Sequence, residues 1–245
     1  MNEATKIRER LQREGQFDRY FAEGRTVLDV GCGPDKIVAH AQGFDLPDGD
    51  AQKLVSIEDA SYDTVFSAHC IEHMRDPLEA LLNWWRVLRP QGYLFVAGPD
   101  EDLYEQGVVP SIFNPDHKHT FTLSKSRSWS PRSKNVVDLI KHLPDHRLVY
   151  LRTCDGGYDY LAVDDQAPAD QTMKGAEAAF EFVVQKEPVQ PIIKSMLQLI
   201  TCPKCKQLRL TLSGFDREKS LHCTCSSCGW FGGFHLEPTK AGTPS

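Results

Sequence analysis

The chain has 245 residues, 40% of them hydrophobic and 25% charged, and a net charge of −6, the composition of an ordinary globular protein. This length accommodates one large α/β domain and a small appendage. No apolar run approaches the roughly 20 residues that span a bilayer, and the charged N-terminal stretch lacks the apolar centre of a secretory signal, so the expected location is cytoplasmic and a membrane span is excluded.

Ile7 and Leu11 fall four apart and are followed by Phe17, Tyr20 and Phe21, which predicts an N-terminal helix in residues 1–24 packed on the main domain. "RTVLDVG" reads as a buried strand entering a glycine turn, "KIVAHA" as a brief helix, "GFDL" as a second strand ending in an acid, and "YDTVFSA" as a third strand. "DPLEALLNWWRVLRPQG" predicts an amphipathic helix with Leu78, Leu81, Leu82, Trp85 and Leu88 on one face, stopped by Pro90 and Gly92. "YLFVAGP" is again a strand. A long irregular connection from Asp100 to Ser133 comes next, of the kind that forms lids and binding loops. "KNVVDLIKHL" returns to helix; "RLVYLRT" and "AAFEFVVQK" are strands flanking a second large loop. The alternation predicts a doubly wound, mostly parallel sheet with helices on both faces.

Pro188 and Pro191 mark a boundary, "SMLQLI" is a short helix or strand feeding a cysteine cluster, and residues 238–245 are expected to be disordered. The expected organisation is therefore an N-terminal helix (1–24), an α/β domain (25–187), a small domain (188–237) and a tail (238–245). Charge follows the same division: residues from Val189 onward sum to +4 and those before them to −10, so a basic tail follows an acidic body and could meet a phosphate-rich partner or that body itself.

Cys32, Cys70 and Cys154 are scattered, whereas five cysteines crowd between 202 and 228. Cys202-x-x-Cys205 and Cys225-x-x-Cys228 offer four thiolates for tetrahedral zinc, with Cys223 as an alternative to Cys225. Four sulfurs leave no open position, so the metal is structural and supplies most of the stability of so small a segment. Such thiols imply a reducing compartment.

The first glycine turn, "VLDVGCGPDKI", holds Gly31 and Gly33 but has Lys36 where a dinucleotide fold needs its third glycine. Asp29 inside the strand would oppose a pyrophosphate and suits a ligand with a cationic amino-acid end. Asp29-x-Gly31-x-Gly33 resembles motif I of class I S-adenosylmethionine-dependent methyltransferases. Asp45 ending the second strand, "GDAQKL", "SYDTVFSAHCIEHMRDP" and "NWWRVLRPQGYLFVAGP" follow in the family's order; the narrower likeness is to the type 11 group. The resemblance covers Thr26 to Pro99 and, more loosely, continues to Lys186. It implies a seven-stranded Rossmann-like methyltransferase fold. It also implies S-adenosylmethionine held by Asp29, Gly31 and Gly33, its ribose on Asp45, its adenine near Asp50 and Ala51, and His69 beside it. The segment "MLQLITCPKCKQLRLTL…LHCTCSSCGW" is similar to small zinc-ribbon proteins that activate RNA and protein methyltransferases, and departs from them after Cys228.

An oxygen acceptor would need a general base, for which His69 at the end of a strand, or His117 in the long loop, is the candidate. His73, next to Glu72, reads as structural. The "NPPY" signature of base and glutamine amino-methylation is replaced by "SAHC". The expected activity is methyl transfer to oxygen of a small molecule, sugar or glycan precursor. RNA or protein acceptors recognised through the basic ribbon (Lys204, Lys206, Arg209, Arg217, Lys219) form a second reading, and a non-catalytic cofactor-binding scaffold a third.

Overall fold

The computed structural model describes residues 3–123, 125–163, 167–187, 201–207, 210–215 and 220–235. The chain divides into two compact units, Met1–Glu187 and Pro188–Ser245. The expectations for "SMLQLI", Pro188, Pro191, Arg209, Arg217, Lys219 and the tail lie outside the described residues.

The first unit begins with helices α1 (Glu3–Arg13) and α2 (Phe17–Phe21). It continues through strands β1 (Val27–Val30), β2 (Gln42–Phe44) and β3 (Tyr62–Ala68), helix α3 (Pro77–Arg86) and strand β4 (Leu88–Pro99). Next come the short strands β5 (Thr120–Thr122) and β6 (Ser133–Asn135), helix α4 (Val136–Lys141), and strands β7 (His146–Cys154) and β8 (Ala179–Lys186). The main sheet has the order β2-β1-β3-β4-β8-β7. The pairings from β2 to β4 are parallel, while β8 runs antiparallel to both neighbours. β5 and β6 form a separate parallel pair inside the long connection.

Strand side chains alternate between two cores, as a period of two requires. Leu94, Val96, Val65 and Phe182 pack with Ala80, Leu81, Trp84 and Trp85 of α3 and with Val136 and Ile140 of α4. Phe95, Phe66, Tyr93 and Val183 pack with Ile7 and Leu11 of α1 and with Tyr20 and Phe21 of α2. Helices thus cover both faces, and the fold is mixed α/β, Rossmann-like, with parallel pairing predominant.

Three details differ from expectation. Among the described residues the main sheet has six strands, where seven were expected: Asp45–Ser61, where another strand would lie beside β2, is taken up by a 3-10 turn at Leu46–Asp48 and successive tight turns, with Leu54 and Ala60 at positive φ. "KIVAHA" is not a helix. Only Gly31–Ala41 joins β1 to β2, and a helical crossover between parallel strands needs a dozen or more residues. The segment is instead held by side chains: Asp29 Oδ2 accepts from Ile37 N (2.7 Å), and Lys36 Nζ donates to the carbonyls of Ala39 (3.0 Å) and Ala41 (2.7 Å).

Helix α3 is the third. Asp76 caps it by accepting from the backbone N–H groups of Leu78 and Glu79, and Pro77 occupies its first turn. It ends at Arg86, before Pro90 and Gly92, which lie in β4. Its buried face is Pro77, Ala80, Leu81, Trp84 and Trp85, leaving Leu82 40% exposed. Trp84 fixes this roll, because its buried indole Nε1 donates to Ala51 O at 2.8 Å.

In the second unit, β9 (Leu210–Phe215), β10 (Ser220–Cys225) and β11 (Phe231–His235) form an antiparallel sheet in the order β11-β10-β9.

Candidate functional site

A cleft of about 180 Å³ opens where β1 and β3 end, lined by Asp29, Gly31, Cys32, Pro34, Phe66, Ala68 and His69, with Glu3 and Ala4 of α1 at its side. The carboxyl ends of parallel strands are where open α/β sheets bind ligands. Gly31 (φ +72°) and Gly33 (φ +51°) adopt the left-handed conformation, which glycine reaches without steric cost. At Gly31 space is limiting as well: a Cβ there would sit 2.6 Å from Cys70 Cβ and Sγ.

Asp29 is buried, and that burial pushes its carboxyl up to about 7, against the pull of the Ile37 N–H bond. Asp35 and Asp45 raise it further. Asp45 follows β2, and its Oδ2 accepts from Gly33 N at 2.7 Å while Oδ1 accepts from Leu46 N at 2.7 Å. It therefore links the glycine turn to the 3-10 turn after β2. The Asp48 backbone N–H also donates to this side chain, and a carboxylate has about four acceptor sites, so some capacity remains for a ligand hydroxyl. His69 stands just past β3 at φ +50°, its N–H bonded to Ala97 O (3.0 Å). Its Nε2 lies 3.6 Å from Glu3 Oε2 and its Nδ1 lies 3.6 Å from Glu72 Oε1.

Of the sequence candidates, Asp29, Gly31 and His69 line the cleft, whereas Gly33, Asp45, Asp50, Ala51 and His117 do not. Asp50 Oδ2 accepts from Arg75 Nη2 at 2.7 Å, and Ala51 O is taken by Trp84. His117 is buried, with its Nδ1 2.6 Å from Glu105 Oε1. Sequence reading passed over Glu3 and Ala4, which reach the cleft because Thr5 N (3.1 Å) and Oγ1 (2.7 Å) both donate to Asp35 Oδ2, and Arg8 Nη2 to Oδ1 at 3.1 Å. The alternating polarity of α1 offered no sign of that contact.

In the second unit, Cys202, Cys205, Cys225 and Cys228 bring their sulfurs within 4.8 Å of one another. Cys202 Sγ–Cys228 Sγ is 3.7 Å and Cys205 Sγ–Cys225 Sγ is 3.6 Å. Zn–S bonds of about 2.3 Å at tetrahedral angles set sulfurs about 3.8 Å apart, so the donor set fits that ion. The two knuckles close in the same way: Lys206 N donates to Cys202 O (2.9 Å) and Gly229 N to Cys225 O (2.9 Å), with Lys206 and Gly229 both at positive φ. Cys223 is buried on β10 and does not join the cluster.

Residues 36–96 match the family described as a methyltransferase domain. A stretch of 118 residues is 29% identical to a probable S-adenosylmethionine-dependent methyltransferase of Mycolicibacterium smegmatis, and covers 38% of this chain and 45% of that relative. The match thus spans less than half of the relative's length. Among solved structures, a SAM-dependent methyltransferase from Archaeoglobus fulgidus is similar at 17% identity and a TM-score of 0.46, over 76% of this chain and 95% of that one. The complex between the Haloferax volcanii Trm112 methyltransferase activator and a candidate methyltransferase gives 16% identity and a TM-score of 0.44, over 77% and 99%.

Proposed function

We propose that the protein is an S-adenosylmethionine-dependent methyltransferase acting on oxygen of a small molecule, sugar or glycan precursor, with a zinc ribbon at its C-terminal end. The observation that carries this reading is the pairing, at one strand-end cleft, of a buried acid inside β1 with a glycine turn tied to a second acid after β2. That pairing disfavours phosphate and suits a cationic amino acid joined to a ribose. The methyltransferase-domain match at residues 36–96 supports it. Asp29 would face the ammonium end, Gly31 and Gly33 would admit the ligand against their backbone, and Asp45 would accept from the ribose hydroxyls. The bound cofactor supplies a methyl group already activated on a sulfonium, leaving the protein to align the acceptor and exclude water. His69 lines the cleft and is the residue placed to take the proton of an acceptor hydroxyl; His117 would act only from beyond that lining. Adenine contacts at Asp50 and Ala51 belong to the same reading. The four-cysteine cluster would hold structural zinc, and a set of thiols used for metal rather than disulfides supports a reducing compartment such as the cytoplasm.

Two results would test the cofactor assignment. Asp45→Ala should weaken S-adenosylmethionine binding at least tenfold by calorimetry, since a charged acceptor for the ribose is lost; wild-type affinity would refute the ribose role. Asp29, unliganded, holds its proton up to about pH 7, and a cationic ligand favours the ionised form. Binding below pH 7 therefore releases a proton, and affinity should rise with pH, by at most about tenfold per unit, and level off above 7. Asp29→Asn should flatten that profile; an unchanged slope would exclude Asp29. For the acceptor, labelled methyl transfer into a fractionated cell extract decides: label in small molecules or glycans supports the reading, and label in RNA or protein overturns its acceptor class.

A further inference from the structure

Beside the cleft, side chains from two separate loops converge on one buried carboxylate that the proposed methyl transfer does not use. Glu72 lies in the 3-10 turn Ile71–His73 after β3, and its side chain is 1% exposed. Neither of its oxygens accepts a hydrogen bond among the described residues. His73 Nε2 and His117 Nε2 each stand 3.8 Å from Glu72 Oε1, beyond hydrogen-bond range.

The far nitrogen of each ring is committed elsewhere. His73 Nδ1 is 2.9 Å from Asp116 Oδ2, and His117 Nδ1 is 2.6 Å from Glu105 Oε1. An ionised carboxylate only accepts, so each Nδ1 carries the proton and a neutral ring leaves Nε2 with a lone pair. Two ring nitrogens and a carboxylate oxygen within 4.8 Å of one another form a donor set that a metal ion or a shared proton would satisfy. Carboxylate–histidine pairs of this form are the usual outer support of histidine metal ligands. The arrangement is also braced: Glu72 O accepts from Lys118 N (2.9 Å) and His119 N (3.3 Å), which fastens the His117 loop to the turn bearing Glu72 and His73. The His117 ring is packed against Tyr104, with centroids 5.3 Å apart.

We propose that Glu72, His73 and His117 bind a divalent metal ion of the zinc class, at a site separate from the four-cysteine cluster. Metal–nitrogen and metal–oxygen bonds of about 2.0–2.2 Å set tetrahedral neighbours roughly 3.3–3.5 Å apart, so the two 3.8 Å separations close by a few tenths of an ångström on binding. Three protein ligands leave one coordination position open. His69, which lines the cleft, has its Nδ1 3.6 Å from Glu72 Oε1, so the ion would adjoin the cleft.

The test reads metal, not methyl transfer, and so succeeds or fails apart from the proposed activity. The full-length protein is saturated with Zn²⁺, freed of excess and assayed for metal, and in parallel loaded with Co²⁺ for optical spectra. Two ions per chain are expected, one for each ligand cluster. Glu72→Gln should retain one, with the cobalt–thiolate charge-transfer band unchanged. A wild-type protein that holds a single ion, or a Glu72→Gln variant that keeps both, would overturn the site. Should Glu72→Gln fail to fold, Asp116→Asn serves instead, because the Asp116 side chain is 70% exposed and bonds, besides Lys118 Nζ (3.3 Å), the His73 Nδ1 of the site. It should weaken Zn²⁺ affinity there about tenfold or more in competition with a chromophoric chelator, and unchanged affinity would refute the proposal.

Discussion

Removing metal from the four-cysteine cluster, by chelation or by Cys202→Ser, is expected to unfold the second unit and leave the first folded. The apolar groups available to the second unit's three-stranded sheet are few, and a sheet of this size needs a substantial buried face to stand alone. Sulfurs 3.6 and 3.7 Å apart across the cluster match a tetrahedral zinc ion, and binding of zinc to such sites is worth about 10–16 kcal/mol in small metal-folded domains. Among the described residues of the second unit, no other feature approaches that figure. Amide hydrogen exchange resolved by peptide should show protection lost from residues 210–235 and kept in β3, β4 and β8. Cys223→Ser provides the contrast, because Cys223 lies outside the cluster and the variant should keep its metal. Persistent protection in the metal-free protein would mean that packing, not the ion, holds this unit together.

Glu181→Ala should cost about 2–3 kcal/mol of stability in the first unit. Glu181 lies in β8 with no solvent exposure, on the face covered by α1. Arg10 reaches it from α1 through Nη1 (3.1 Å) and Nη2 (2.6 Å), Arg152 from β7 through Nε (3.1 Å) and Nη2 (2.9 Å), and Tyr150 Oη donates at 2.7 Å. Deleting the carboxylate leaves the Tyr150 phenol without its acceptor and removes the shared partner of two guanidinium groups, although Arg10 keeps Glu177 (2.9 Å) and Arg152 keeps Glu14 (2.9 and 3.1 Å). The bond from Arg10 to Glu177 and those from Thr5 and Arg8 to Asp35 remain, so α1 is weakened, not released. Urea denaturation would measure the loss, and a change under about 1 kcal/mol would show that the apolar face of α1 and its other polar ties hold it without Glu181. Glu181→Gln should fall between, since its amide can still accept one guanidinium.

These two features were unequally visible in the sequence. The cysteine knuckles are local, and their spacing alone implies the geometry. β1, β3, β4 and β8 were legible because each is an apolar run ended by glycine, proline or a charged turn. Glu181 looked like a lone polar residue in "AAFEFVVQK", and the Arg10 that neutralises it comes from the opposite end of this unit's sequence. The Glu72 cluster was hidden for the same reason: Glu72, Glu105, Asp116 and His117 meet only when the loop after β4 folds back, and His73 beside an acid reads as a turn residue. Helix α3 shows a subtler failure. Its existence followed from Asp76-Pro77 and the apolar period, but its roll depended on one indole N–H finding the Ala51 carbonyl. The segment after Gly33 failed on length, since its apolar residues suggested a helix where the span had no room for one.

The six-stranded sheet carries a last consequence, for self-association. Ending the sheet at β2 exposes an edge that a neighbouring chain could extend with its own strand. That edge is three residues long, Gln42–Phe44, and the Leu46-Pro47 turn follows at once, so a partner strand would find too few free backbone groups to gain a foothold. The opposite edge, β7, is nine residues long, but the β7–β8 register shifts between Leu148 and Tyr150, and the exposed Arg147 carries charge on it. One border is guarded by brevity and the other by irregularity and charge, and both work against fibrillar stacking of the folded protein.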